Sequence, residues 1–258
     1  MYAKRSFGQN YLIDERCIDR IVASLDLKVG ETVVEIGAGR GALTEALLAT
    51  GAIVVAIEID RDLHPVLNER FGSLSNFQLI ADDILQVDIS GLFAQIGITP
   101  PAKLIGNLPY NISTAILQRV IDARELFSTA VFMFQREVVE RITAVPGNSE
   151  RGFFTVITES AFEAVNLFDV PPAAFSPRPK VWSSVVSLTP KPRSLGDDPK
   201  FRRLISMAFA QKRKTILNNL KQYSPKAEAA LTASGIDPRR RAETLALAEW
   251  ITLADAIK

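Results

Sequence analysis

From about residue 18 to residue 135 the chain alternates short, continuously apolar, β-branched runs with stretches of helical spacing. A strand that is apolar at every position must be covered on both faces. Helices inserted between successive strands provide that cover, so the alternation predicts a parallel sheet with helices on each side. Residues 17–25 read as a helix with Ile18, Ile21, Val22 and Leu25 on one face. Residues 32–36 read as a strand running into Gly37, residues 42–50 as a helix ended by Gly51, 53–57 as the next strand and 61–71 as the next helix. Three more strands are predicted over 77–80, 102–105 and 130–134.

After Arg141 the pattern changes. Residues 153–162 and 181–188 are strand candidates separated by the Pro-rich loop Pro171 to Pro179, and are expected to pair as an antiparallel hairpin at the sheet edge. Residues 189–198 form a Pro/Gly/charge linker, and residues 199–258 read as three or four helices, with Leu204, Ile205, Ala208 and Phe209 in one stripe. The expected division is a catalytic domain over 1–188 and a small all-α domain over 189–258. Residues 1–170 hold 14 Lys/Arg and 22 Asp/Glu, a net −8, whereas residues 171–258 hold 16 and 7, a net +9. That asymmetry points to a polyanion-binding surface in the C-terminal part.

No run of about 18 apolar residues exists, so no membrane span is expected. The polar start, with Lys4 and Arg5, lacks the apolar stretch of a secretory signal. A single cysteine, Cys17, and a single histidine, His64, fit a reducing cytoplasm and argue against a metal cluster.

Glu35-Ile-Gly37-Ala-Gly39-Arg-Gly41 follows the first long strand and opens a helix. Glycines there permit a tight turn and close approach of backbone to a ligand. Gly37, Gly39 and Ala42 also satisfy the dinucleotide fingerprint, and Glu58, at the end of the next strand, suits a ribose diol in either case. Glu35 tips the balance, because a carboxylate beside the turn repels a pyrophosphate but suits the ammonium and sulfonium of S-adenosylmethionine. Asp82-Asp83 ends the third strand, where Asp83 can accept from an adenine amine while Asp82 can serve instead as a helix cap.

Asn107-Leu108-Pro109-Tyr110 is the most specific chemistry in the chain. The exocyclic amine of adenine is a poor nucleophile because its lone pair is delocalised into the ring. Two acceptors that hold its two N–H groups shift the nitrogen toward tetrahedral geometry and release that lone pair. The Asn107 amide oxygen and the Leu108 carbonyl supply such a pair; Pro109 stiffens the turn and offers no competing N–H. Tyr110 suits stacking on the base.

Together these segments resemble the ribosomal RNA adenine dimethyltransferase family. The likeness includes Phe7-Gly-Gln-Asn-Tyr-Leu12, the glycine loop, Asn107-Leu-Pro-Tyr110, Phe134-Gln-Arg-Glu-Val138, Phe175-Ser-Pro-Arg-Pro-Lys-Val181, Gln211-Lys-Arg-Lys-Thr215 and Asp237-Pro-Arg-Arg-Arg-Ala-Glu-Thr-Leu245. The resemblance implies a Rossmann-like class I methyltransferase fold with a mostly parallel seven-stranded sheet and a small helical domain. It implies S-adenosylmethionine as cofactor, contacted by Asn10, Leu12, Gly37, Glu58, Asp83 and Asn107, to which the glycine-loop reading adds Gly39. It also implies dimethylation of two adjacent adenines near the 3′ end of 16S rRNA within an assembling small subunit, by a protein expected to be a monomer. Phe175 is then expected to sandwich the target base opposite Tyr110.

Arg178 and Lys180 near Phe175, and Lys212, Arg213 and Lys214 in the C-terminal part, are the expected phosphate contacts, with Arg239, Arg240 and Arg241 as a third cluster. A nicotinamide-dependent oxidoreductase is the competing reading of the glycine loop. It lacks a plausible proton donor beyond His64, which the sequence places inside a helix. A ribosome-assembly factor in which binding outweighs catalysis, and a methyltransferase acting on DNA or a protein amide, are the further alternatives.

Overall fold

Asp14 accepts the Cys17 N–H at 2.9 Å and so starts α1 (Glu15–Ala23), which turns Ile18, Ile21 and Val22 inward. The computed structural model describes residues 10–109, 112–192, 195–196 and 198–257. After α1 the chain runs through β2 (Thr32–Ile36), α2 (Ala42–Ala49), β3 (Ile53–Ile57), α3 (His64–Phe71), β4 (Phe77–Ile80) and α4 (Ile89–Ile96). It then continues through β5 (Ala102–Asn107), α5 (Ser113–Asp122), β6 (Phe127–Gln135) and α6 (Arg136–Ile142). The strands β2 to β6 pair in parallel; Glu35, for example, is in register with Ala56 on one side and Ile105 on the other.

The edge of the sheet departs from the sequence expectation. Residues 153–161 are not a strand but the helix α7 (Phe153–Ala161). The Thr155 hydroxyl accepts the Gly152 N–H at 2.9 Å and donates to the Arg141 carbonyl at 2.6 Å, fixing the first turn. Tertiary cover wins over β-propensity here, because Thr155, Val156, Ile157 and Thr158 are all buried, which a helix packed on more than one side requires. The hairpin is made instead by β7 (Phe162–Val170) and β9 (Ser183–Pro190). The sheet order is β4-β3-β2-β5-β6-β9-β7, with β9 antiparallel to β6. Thus the expected seven-stranded, mostly parallel sheet is present. A separate antiparallel pair joins β1 (Tyr11–Leu12) to β8 (Phe175–Ser176).

The chain divides into two compact units. One comprises Met1–Val139 with Val165–Pro190, the other Glu140–Ala164 with Lys191–Lys258. The second therefore takes up residues 140–164, which a division at 188/189 assigns to the first. The reason is packing. α7 lies against α8 (Pro199–Ala208) and α11 (Leu247–Ala256), and α9 (Ile216–Leu220) and α10 (Ala227–Ala233) complete the bundle. Arg151, 1% exposed, ties this unit together through Glu159 at 2.5 Å, the Ala144 carbonyl at 2.9 Å and the Leu245 carbonyl at 3.2 Å. Among the described residues no helix is long and apolar enough to cross a membrane.

Candidate active site

The chain builds β2, β3 and β4 outward in one direction and then β5 and β6 in the other, so the strand order reverses between β2 and β5. In open α/β sheets the crevice beyond the C-terminal strand ends at such a reversal is where ligands bind. A cavity of about 490 Å³ lies there, entirely within the first unit, and its size suits a small-molecule cofactor.

The glycine loop forms its floor. Gly37 has φ +73° and a side chain there would enter open space, while the Gly37 N–H is held by the Ile57 carbonyl at 2.8 Å. Gly41, at φ +83°, is required for a different reason: a Cβ would come within 2.5 Å of the Phe71 ring. Glu35 is 1% exposed and lines the cavity. Burial pushes its carboxyl up to about 7, against the opposing effect of the Thr44 hydroxyl, which donates to it at 2.6 Å; the Glu58 charge adds to the rise.

Glu58 is also buried on the cavity wall. Its Oε2 accepts the Gly39 N–H and its Oε1 the Asp60 N–H, each at 2.8 Å. The carboxylate thus shapes the glycine loop, and each oxygen keeps a lone pair for a ligand hydroxyl. Replacing Glu58 by Ala is expected to weaken cofactor binding roughly tenfold to hundredfold, the range for losing a hydrogen bond to a charged acceptor. Isothermal titration of the variant checks this, and unchanged affinity would count against Glu58 as a cofactor contact. Asp82 and Asp83 both line the cavity, and both also cap backbone: Asp82 Oδ1 accepts the Asp83 N–H at 2.7 Å and Asp83 Oδ1 the Leu85 N–H at 2.9 Å.

Asn107, the last residue of β5, lines the same cavity with Leu108 and Pro109. Its Nδ2 donates to the Asn10 carbonyl at 3.2 Å. That bond sets the amide's orientation and leaves Oδ1 without a partner among the described residues. The Leu108 N–H donates to the Met133 carbonyl at 3.2 Å, and the Pro109 carbonyl accepts the Ile112 N–H at 3.3 Å, so the turn carrying the second acceptor is fixed at both ends. Tyr110 lies outside the described residues.

Asn10 and Leu12 reach the cavity because β1 is pinned by β8. The same pairing, Leu12 with Phe175, decides the place of Phe175. Successive strand residues face opposite ways, so Ser176 points out and Phe175 points in. Phe175 is 4% exposed, packed into the apolar core with Leu12, Ala174 and Val170, and it is not on the cavity wall. Two wall residues that the sequence does not single out are Tyr11 and Arg40, whose guanidinium sits 4.4 Å from the Tyr11 ring centroid. They come from distant segments, so only the position of Tyr11 between Asn10 and Leu12 hints at its place. His64 opens α3 rather than lying inside it, and its Nε2 meets the Glu58 carbonyl at 2.9 Å instead of the cavity.

Arg178 and Lys180 are exposed on the loop between β8 and β9 in the first unit. Lys212, Arg213 and Lys214 are exposed in the second unit, between α8 and α9, and make no ion pair among the described residues. The Arg239–Arg241 triplet is different. Arg239 is bound by Asp237 at 3.0 Å, Arg241 lies 3.9 Å from Glu243, and Arg240 bonds Glu249 and the Thr244 carbonyl, so this cluster is largely spent on internal pairing.

The donor set fits S-adenosylmethionine: two buried carboxylates and one half-buried carboxylate face a cavity floored by a glycine turn with room above Gly37. Comparisons with known proteins point the same way. A family model described as ribosomal RNA adenine dimethylase matches residues 1–258. The ribosomal RNA small subunit methyltransferase A of Hahella chejuensis is 43% identical over 260 residues, covering 99% of this chain and 93% of that protein. The protein of the same name from Pseudomonas putida is 41% identical, covering 99% and 95%. Among solved structures, a dimethyladenosine transferase from Plasmodium falciparum superposes with a TM-score of 0.78 at 25% identity, covering 94% of this chain and 95% of that one. The 23S rRNA methyltransferase ErmE superposes with a TM-score of 0.74 at 25% identity, covering 96% and 99%.

Proposed function

The chain belongs to the ribosomal RNA adenine dimethylase family, and on that premise we propose that it methylates N6 of two adjacent adenines in a hairpin loop near the 3′ end of small-subunit ribosomal RNA. The observation that carries this reading is Asn107, held on the wall of an acid-lined cavity with its amide oxygen turned away from Asn10. S-adenosylmethionine, when bound, supplies a sulfonium-activated methyl group. The carboxylates of Glu35, Glu58 and Asp83 suit its cationic and hydroxyl groups.

Asn107 Oδ1 and the Leu108 carbonyl accept the two N–H groups of an extruded adenine. Their task is to place the nitrogen and free its lone pair, so rate comes from positioning and no strong base is needed. The proton is lost to water after transfer. A singly methylated amine keeps one N–H, so in the second round a single acceptor holds it while the first methyl is rotated aside. The target base must leave its stack, which costs least in a loop.

The second unit supplies affinity in this reading. Reversing the charge of Lys212 and Arg213 to Glu is expected to weaken RNA binding about tenfold and flatten its salt dependence by about two phosphate contacts, with cofactor affinity unchanged. Filter binding across a salt series and cofactor titration separate the two; equal loss of both affinities argues against this division of labour. We place the protein in the cytoplasm, acting as a monomer on an assembling small subunit. The decisive experiment is mass mapping of methylated adenosines in ribosomal RNA from cells lacking the protein. Dimethyladenosine is expected to vanish from the small-subunit 3′ region, and its persistence removes the proposal.

A further inference from the structure

Of the two tryptophans in the chain, Trp250 is fully buried and Trp182 is 47% exposed. Among the described residues every other aromatic side chain is buried or half-buried, so an exposed tryptophan stands out. Its setting is specific. Trp182 lies immediately before β9, and its carbonyl accepts the Arg136 N–H at 3.0 Å, just past the point where Ser183 pairs with Gln135. The backbone under the ring is therefore part of the sheet ladder, not a free loop. The preceding residues Arg178, Lys180 and Val181 are exposed, while Pro179 between them is buried and anchors the segment. An indole thus follows two cations on one exposed stretch of chain.

Register places the backbone of Trp182 relative to the reacting end of β5. Asn107 is level with Met133 on β6, and Met133 with Val185 on β9. Trp182 stands three residues before Val185, beyond the C-terminal edge of the parallel strands. At about 3.3 Å per residue and about 4.8 Å per strand, its Cα lies roughly 10 Å beyond that of Asn107 and roughly 10 Å across the sheet. That is the distance of a nearby nucleotide, not of the target itself.

We propose that Trp182 is a stacking platform for an unpaired base flanking the target adenine, with Arg178 and Lys180 holding the phosphates beside it. The inference rests on the RNA reading above and adds a positioning residue to it. Stacking accepts any base because every base has a π-face, and paired cations next to an exposed indole match a single strand better than an apolar protein surface.

The full-length protein titrated with an oligoadenylate of about ten nucleotides, a length within the range single-strand sites span, is expected to lose the emission of its exposed tryptophan. The Trp182→Phe variant, which retains only the buried Trp250, is expected to show no such quenching. With small subunits lacking the modification as substrate, Trp182→Ala is expected to raise KM about tenfold, the size of one lost stack. Its kcat is expected to hold within about twofold, and Trp182→Phe to recover most of the KM. Absence of quenching, a wild-type KM in Trp182→Ala, or equal impairment of the Ala and Phe variants overturns the platform. If the oligoadenylate quenches Trp182 but the wild-type protein methylates no small subunit, the proposed function fails while the platform stands as a binding site.

Discussion

Asn107→Ala is expected to lower kcat for methyl transfer by about a hundredfold to a thousandfold, the range seen when one preorganised group that acts on the reacting centre is removed. The cofactor dissociation constant is expected to rise by about tenfold at most, since one ordinary hydrogen bond is at stake on that side. The asymmetry follows from geometry. The side chain spends its Nδ2 on the Asn10 carbonyl and leaves Oδ1 without a partner among the described residues. Asn107→Asp preserves the shape and the acceptor but loses the donor to Asn10, so it is expected to fall between the two. Single-turnover rates with saturating cofactor make the measurement. A variant that loses cofactor binding in proportion to rate would show that Asn107 serves the cofactor and not the adenine.

Glu35→Gln is expected to change the pH dependence of stability. In the folded protein without cofactor the Glu35 carboxyl is raised to about 7, whereas in an unfolded chain it ionises near 4.3. Between these values the native state holds a proton that the unfolded state has released. Stability therefore falls as pH rises through that window, by up to about 4 kcal/mol from this group. Glutamine keeps an acceptor for the Thr44 hydroxyl and has nothing to titrate. The variant is expected to gain stability over the wild type above pH ~7, and to match it below pH ~4. Urea unfolding across pH checks this; parallel profiles for the two proteins would refute it. The same carboxyl predicts a signature of binding. A cationic ligand favours the ionised form, so cofactor entry near pH ~6.5 is expected to release a proton, visible as a binding enthalpy that varies with the buffer's ionisation enthalpy. The substitution is expected to abolish that dependence and to weaken binding.

Much of this site is legible in the amino-acid sequence. The strands that carry it are continuous apolar runs, and a strand buried on both faces has little freedom to be read otherwise. Glu35, Glu58 and Asp83 stand at or just past strand ends, and strand ends are where an α/β sheet presents side chains to a ligand. What is not legible depends on contact between distant segments. Residues Phe153 to Ile157 are rich in aromatic and β-branched side chains, yet packing among the helices of the second unit makes them helical. β7 is exposed along most of its length, so it shows none of the apolar continuity that marks the other strands. Phe175 sits beside a basic Pro-rich loop, but its strand partner, not its neighbours in sequence, turns it into the core. Arg240 reads as one of three surface cations until Glu249 and Thr244 are brought to it.

The pairing of β1 with β8 also bears on biogenesis. Residues 11 and 12 find their partners at 175 and 176, more than 160 residues further along, and the Ile13 N–H finds the Ala174 carbonyl at 2.8 Å. During translation the glycine turn and Asn107 can be in place while the N-terminal wall still has nothing to dock on. A nascent chain therefore exposes an open, incomplete pocket, and methyl-donor capture has to wait until residues 174–176 have emerged.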